Sequence, residues 1–156
     1  MNLRQITIKD QIELKKIYFD SINSIDEKIY TKDQKTAWSS QAWENPEFNN
    51  SLLKGKGWGI SQKGKVIAFA IRHPKDRLAL IYCKGNYKRQ GLGTILINKI
   101  ENDAKKEGIN YLKTEASLIS YKLLLRNQWK IIKKENIIIK NQFFDRYKMI
   151  KDLKYN

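Results

Sequence analysis

Gly91 and Gly93 flank a single leucine in the stretch Tyr-Lys-Arg-Gln-Gly-Leu-Gly-Thr, residues 87–94. Lys88, Arg89 and Gln90 stand immediately before them. An apolar run, residues 77–83, precedes the stretch, and a periodic run, residues 94–108, follows it. The glycines therefore fall where a strand feeds a helix. A helix N-terminus offers backbone N–H groups without intrahelical partners, at the positive end of the helix dipole. Glycine lets an anion approach the backbone closely and adopts positive φ at no steric cost. With Lys88 and Arg89 adding charge, this composition suits the cradling of a pyrophosphate. The spacing is neither the Walker loop, which requires Gly-x-x-x-x-Gly-Lys-Ser/Thr, nor the dinucleotide fingerprint, whose third glycine is missing. On spacing alone, a helix-start turn that holds no ligand also fits.

Other reactive side chains are sparse. Cys83 and His73 are the only cysteine and histidine. They exclude an intrachain disulfide and a Cys/His zinc site, so no metal is expected. Cys83 reads more readily as a small core hydrophobe than as a nucleophile, and His73, in Arg-His-Pro-Lys-Asp, as a turn residue.

The elements that must position the glycine turn can be read along the chain. Residues 3–8 suit a first strand. Asp10 is placed to cap a helix whose Ile12, Leu14, Ile17, Tyr18 and Ile22 recur at helical spacing. Thr31 and Gln34 have capping-box spacing for a short helix within 31–43, and Pro46 suits the first turn of another. Lys63-Gly64 marks a hairpin between two strands, and residues 77–83 form the next. In the helix after the glycines, Leu92, Leu96, Ile100 and Ala104 form one stripe with Ile95 beside it, and Gly108 sits where a C-terminal cap belongs. A strand over 109–116, a short helix over 117–127 and a hairpin turning at Asn141-Gln142 complete the order. The whole, residues 1–156, reads as one mixed α/β domain.

Composition bounds the function. The 156 residues include 41% hydrophobic and 30% charged side chains, a globular balance. No apolar run reaches the roughly 18 residues of a membrane span, and the N-terminal residues lack the apolar core of a signal peptide. With the lone cysteine, this places the protein in the cytoplasm. The net charge of +15 invites a nucleic-acid partner, but the lysines are scattered and no basic-aromatic motif accompanies them, so no specific nucleic acid and no membrane is expected. The field still favours polyanionic ligands. The C-terminal hairpin offers an edge for a homodimer.

Residues 87–108, Tyr-Lys-Arg-Gln-Gly-Leu-Gly-Thr through Lys-Lys-Glu-Gly, resemble the central motif of the GNAT acetyltransferase superfamily, Gln/Arg-x-x-Gly-x-Gly/Ala at a helix start, with Lys88 in the first position. The similarity extends over nearly the whole chain. Residues 21–38 resemble the N-terminal segment of small bacterial GNAT proteins, and Leu-Lys-Thr-Glu-Ala-Ser, residues 112–117, their later strand-helix unit. It implies the GNAT fold, a mixed α/β sheet with splayed central strands and a C-terminal β-hairpin, and an N-acetyltransferase using acetyl-CoA. By this resemblance Lys88, Arg89, Gln90, Gly91, Leu92, Gly93 and Thr94 hold the pyrophosphate. The backbone of Ile81, Tyr82 and Cys83 takes the pantetheine arm, and Ser117 matches a frequent CoA-contacting asparagine. The acceptor implied is the primary amine of a small molecule or peptide, attacking the thioester directly. Segment 25–58 would set specificity, with Trp38, Trp43 and Trp58 as walls of the acceptor pocket or as core.

The chain also departs from the family. The tyrosine that commonly protonates the leaving thiolate falls at Leu124; Tyr121, one turn earlier, is the substitute candidate, with a packed or solvent-facing ring as the alternative. The strand carboxylate common in relatives falls at Ala79. Glu115 remains as an acid that could hold a water or the substrate ammonium, or simply pair with a nearby cation. A usual glycine before the final hairpin is Gln128. These losses leave a second reading, a CoA-binding sensor with little transferase activity, beside the enzyme, and a nucleic-acid binder as a third.

Overall fold

The computed structural model describes residues 1–154. Strands β1 (Asn2–Gln5), β2 (Lys56–Gln62), β3 (Lys65–Arg72) and β4 (Leu78–Cys83) form an antiparallel sheet in that order. Strands β5 (Tyr111–Ala116), β7 (Gln142–Asp152) and β6 (Lys130–Ile139) form a second antiparallel sheet, with β7 in the middle. Helices α1 (Gln11–Asn23), α2 (Lys32–Ser39), α3 (Gln41–Glu44) and α4 (Pro46–Lys54) precede β2. Helix α5 (Leu92–Lys106) joins β4 to β5, and α6 (Ser120–Arg126) leads into β6.

Two cores lie on opposite faces of the first sheet. Leu92, Leu96, Ile97, Ile100 and Ala104 of α5 pack with Leu112 and Ala116 of β5 and Met149 of β7. On the other face, Leu14, Ile17, Tyr18 and Ile22 of α1 pack on Val66, Phe69 and Ile71 of β3. Both helices thus bury the stripes their 3.6-residue periodicity marks. Two members of those stripes do not follow: Ile12 is 72% exposed and Ile95 46%. Each lies at the edge of its apolar arc, and Ile97 takes the inward place on α5 instead.

Local chemistry sets the boundaries. Thr31 and Gln34 form the reciprocal capping box, with Gln34 N donating to Thr31 Oγ1 at 3.1 Å and Thr31 N to Gln34 Oε1 at 2.8 Å. Asp10 does not cap α1 through its side chain. Its carboxylate instead accepts from Thr7 N and from both terminal nitrogens of Arg4. Helices α5 and α6 both end in Schellman motifs. Gly108 N donates to Lys105 O and Ile109 N to Ala104 O; Gln128 N donates to Leu125 O and Trp129 N to Leu124 O. Gly108 (φ 78°) and Gln128 (φ 64°) occupy the left-handed position these motifs require. The final hairpin turns at Lys140-Asn141, one residue earlier than expected, because both adopt positive φ and Ile139 pairs with Gln142.

Candidate functional site

The two sheets meet at one point and then part. Arg77 bridges Lys113 in parallel, Lys113 N donates to Asp76 O at 2.8 Å, and Thr114 Oγ1 donates to Leu78 O at 2.7 Å. Among the described residues, no further ladder joins β4 to β5. Toward their C-terminal ends, Ile81, Tyr82 and Cys83 pair with β3 on one side only, opposite Ala70, Phe69 and Ala68. Their other edge faces the gap that opens toward β5. Alternation sends Ile81 and Cys83 to the α5 core and Tyr82 to the α1 core.

The glycine turn lies beside that gap. Helix α5 begins two residues earlier than periodicity suggests, with Gly91 as N-cap at φ 77° and no side chain capping the first turn. Arg89 also has positive φ, 63°. Arg89, Gln90 and Gly91 are exposed, Gly93 and Thr94 half-buried, and Leu92 buried in the core. The first intrahelical bond is Ile95 N to Gly91 O, so the N–H groups of the first turn point outward without helix partners. The two glycines serve different ends. A Cβ at Gly91 would meet nothing within 4 Å, so its requirement is conformational. A Cβ on Gly93 would stand 2.5 Å from Leu123 Cδ2, so its requirement is the close packing of α5 on α6.

Lys88 is turned away from this turn. Its ammonium donates to Ser21 O at 3.1 Å and Ser24 Oγ at 2.6 Å, at the C-terminal end of α1. Partial burial lowers its pKa, offset in part by Cys83 and Asp20. Burial pushes the Cys83 thiol up, against the pull of Lys88, so the thiol stays protonated and is not an activated nucleophile. The Cys83 thiol lies 3.4 Å from Lys84 O.

Glu115 and Tyr121 are not brought together. Glu115 pairs with Arg77 Nε at 2.9 Å and lies opposite Lys148 in the β5–β7 register. The neighbouring pair, Ala116 and Tyr147, points to the other face, where Tyr121 stacks on Tyr147 with ring centroids 4.5 Å apart. The Tyr121 hydroxyl has no hydrogen-bond partner among the described residues. Leu124 is 1% exposed within the α5 core, and Ala79 packs against the α1 core. Ser117 is engaged locally: its hydroxyl accepts from Ile119 N and Ser120 N at the start of α6.

On the α1 face, aromatic rings close the gap. Trp38 lies 5.2 Å from Tyr30 and 6.4 Å from Tyr82, centroid to centroid. Burial pushes the Tyr82 and Tyr30 phenols up, which keeps both neutral. Of the three tryptophans considered for an acceptor wall, only Trp38 belongs to this cluster. Trp43 is exposed against Phe19. Trp58 lies under α5, where its indole donates to Asp103 and Lys99 covers its ring at 4.2 Å. Strand alternation places it there, a feature that spacing among tryptophans cannot convey. Neither Tyr30, within the 21–38 segment, nor Arg77, at the head of the 77–83 run, stands out as a site residue in the sequence. Yet Tyr30 Oη accepts from Leu118 N at 2.9 Å, across 88 residues, and Arg77 holds the one acid on β5. Among the described residues no cluster of metal-ligating side chains exists, and no helix is long and apolar enough to cross a membrane.

Residues 19–124 match the acetyltransferase (GNAT) family. No curated protein sequence matches significantly. The fold is similar to the GCN5-related N-acetyltransferase of Rhodopseudomonas palustris (22% identity, 97% of this chain and 94% of that one, TM-score 0.89). It is similar also to the PaiA N-acetyltransferase of Thermoplasma acidophilum in complex with coenzyme A (18%, 97% and 99%, 0.72). A third similar structure is YncA of Salmonella typhimurium with its cofactor acetyl-CoA (15%, 100% and 95%, 0.67). The parted strands, the uncapped helix start beside them and a family match spanning more than half the chain agree on one conclusion: the protein belongs to the GNAT acetyltransferase family.

Proposed function

We propose that the protein is an acetyl-CoA-dependent N-acetyltransferase acting on the primary amine of a small molecule or peptide. The observation that carries this reading is the parting of β4 from β5 beyond the Thr114–Leu78 bond, directly before the uncapped first turn of α5. Backbone N–H groups from Arg89 through Thr94 would hold the pyrophosphate. The unpaired edge of Ile81–Cys83 would pair with the amides of the pantetheine arm. The amine nitrogen attacks the thioester carbon directly in a ternary complex. The amine attacks in its neutral form; the C–N bond forms, the C–S bond breaks, the nitrogen releases one proton to water, and the thiolate takes one and leaves as CoA. A strand N–H can stabilise the oxyanion. Tyr121 is the side-chain candidate for proton donor, with water as the alternative. Glu115, held by Arg77, would orient the ammonium or a water rather than act as a free base.

A CoA-binding protein with weak transferase activity is the second reading. It is favoured by Leu124 in the core and by Tyr121 and Glu115 lying on opposite faces. Thermal unfolding tests the shared premise. Acetyl-CoA at 100 times its Kd should add about 2.7 kcal/mol, and pantetheine, which lacks the pyrophosphate, much less. Equal stabilisation by both would refute the cradle. Acetylation of any member of a panel of amines then separates enzyme from sensor.

A further inference from the structure

The C-terminal turn of α1 is gripped from two sides. From the loop before the glycine turn, Lys88 donates to Ser21 O and Ser24 Oγ, and Gly85 N donates to Asp20 Oδ2 at 2.8 Å. The approach is close: a Cβ on Gly85 would stand 2.7 Å from Ser24 Cβ. From the other side, the buried ammonium of Lys35 on α2 donates to Ile25 O at 2.8 Å and Asn23 O at 3.4 Å. Two lysines from separate elements thus share the negative end of one helix dipole. Beyond Ser24 the chain crosses to the second sheet. It is fastened there by Tyr30 to Leu118 N, by Gln34 Nε2 donating to Phe143 O at 2.7 Å, and by the ion pair of Glu44 with Lys140. Ile25, Tyr30, Ala37 and Phe144 form a small core under this strap, joined to the α1 core through Trp38, which packs against both and accepts a hydrogen bond from Tyr18 Oη at its carbonyl.

We propose that Lys88 and Asp20 are positioning residues that couple the cofactor loop to the strap over residues 25–40, so that filling the 89–94 turn orders the acceptor-side wall formed by Tyr30 and Trp38. The inference rests on the proposed acetyl-CoA site. The loop 84–88 is continuous with the turn, and its contacts to α1 are two hydrogen bonds from one ammonium and one backbone bond to a carboxylate. Lys88 therefore holds the end of α1 from which the strap departs, rather than the phosphates, which the backbone beyond it would hold. A strap resting on a small core of its own, with Trp38 as the link to the α1 core, can respond without unfolding the main cores.

Hydrogen exchange read by mass spectrometry on the full chain, with coenzyme A as the probe, tests this. In the unmodified protein, coenzyme A should slow exchange in 89–95 and also, by about fivefold or more, in 25–40, the lower end of typical coupling between sites. Lys88→Met and Asp20→Ala, which removes the acceptor for Gly85 N, should keep the slowing in 89–95 and lose it in 25–40, whereas Lys88→Arg, which can donate to the same carbonyl, and Asp20→Asn, whose amide oxygen can still accept from Gly85 N, should retain both. Protection of 89–95 alone in the unmodified protein, or strap protection that survives Lys88→Met and Asp20→Ala, overturns the coupling. Protection of neither segment overturns the coupling together with the acetyl-CoA site itself.

Discussion

Leu123 Cδ2 lies 2.5 Å from the point where a Cβ on Gly93 would stand, whereas the corresponding point at Gly91 is open. One motif therefore contains two glycines with unrelated physical reasons.

Gly93→Ala should push the half-buried end of the Leu123 side chain aside, at the low end of the overpacking range, about 1 kcal/mol. The melting temperature should fall by roughly 2–4 °C per kcal/mol. Gly93→Ala with Leu123→Ala should recover part of the loss relative to Leu123→Ala alone. Gly91→Ala should cost about 1–2 kcal/mol through its left-handed backbone, and Leu123→Ala should not relieve it. Calorimetry on the two double-mutant cycles distinguishes the cases; relief of Gly91→Ala by Leu123→Ala would contradict this assignment.

Tyr121→Phe removes one hydroxyl and keeps the ring on Tyr147. If Tyr121 protonates the leaving thiolate, kcat should fall about tenfold or more with acetyl-CoA affinity unchanged. Leu124→Tyr, which introduces the tyrosine that the family resemblance implies at this position, should instead destabilise by about 1–3 kcal/mol, because the site is filled core. Urea unfolding and steady-state rates on the two variants check both halves.

Glu101 joins three elements inside the protein. Trp129 Nε1 donates to its Oε2 at 3.1 Å, Lys151 Nζ lies 3.5 Å from its Oε1, and the same ammonium donates to Asn127 O at 2.6 Å. Lys151→Met leaves a buried carboxylate without its cation and should cost about 3–5 kcal/mol. Lys151→Met with Glu101→Leu should be more stable than Lys151→Met alone. An equilibrium urea series measures this, and additive losses would show that the two groups do not act as a pair.

Asp10 gives the N-terminus a pH dependence. The bond from Arg4 lowers its carboxyl pKa most, Thr7 N–H assists, and burial opposes. A carboxyl depressed in the folded state stabilises fully above its unfolded value, about 3.9, and the gain disappears as pH falls through the folded value. The stability difference between the unmodified protein and Asp10→Asn should therefore be constant above about pH 5 and shrink below about pH 4. Denaturant midpoints across pH 2–7 report it; a difference that grows toward acid would reverse the sign argued here.

Much of the framework was set by the sequence itself, because its causes are local. The capping box of Thr31 and Gln34 needs only a spacing of three, the Lys63-Gly64 turn only two residues tolerant of positive φ, and the stripes of α1 and α5 only a period of 3.6. The glycine turn was legible for the same reason: strand, turn and helix are contiguous. Gln128 shows the limit of that logic. The family resemblance implies glycine there, yet the Schellman motif forms with Gln128 at φ 64°, with Trp129 and Leu124 in the same core.

What only the tertiary structure decided concerns residues far apart in the chain. Register across β5 and β7 put Glu115 and Tyr121 on opposite faces, and no spacing between positions 115 and 121 reveals that. Packing turned Lys88 from the glycine turn toward α1, 67 residues earlier. It also placed Trp58 under α5 and gave Glu115 an arginine from 38 residues away. Side-chain destination follows from which surfaces meet when the two sheets part. That parting begins past the isolated Arg77–Lys113 bridge and the side-chain bond of Thr114 to Leu78, contacts that only the folded chain brings together.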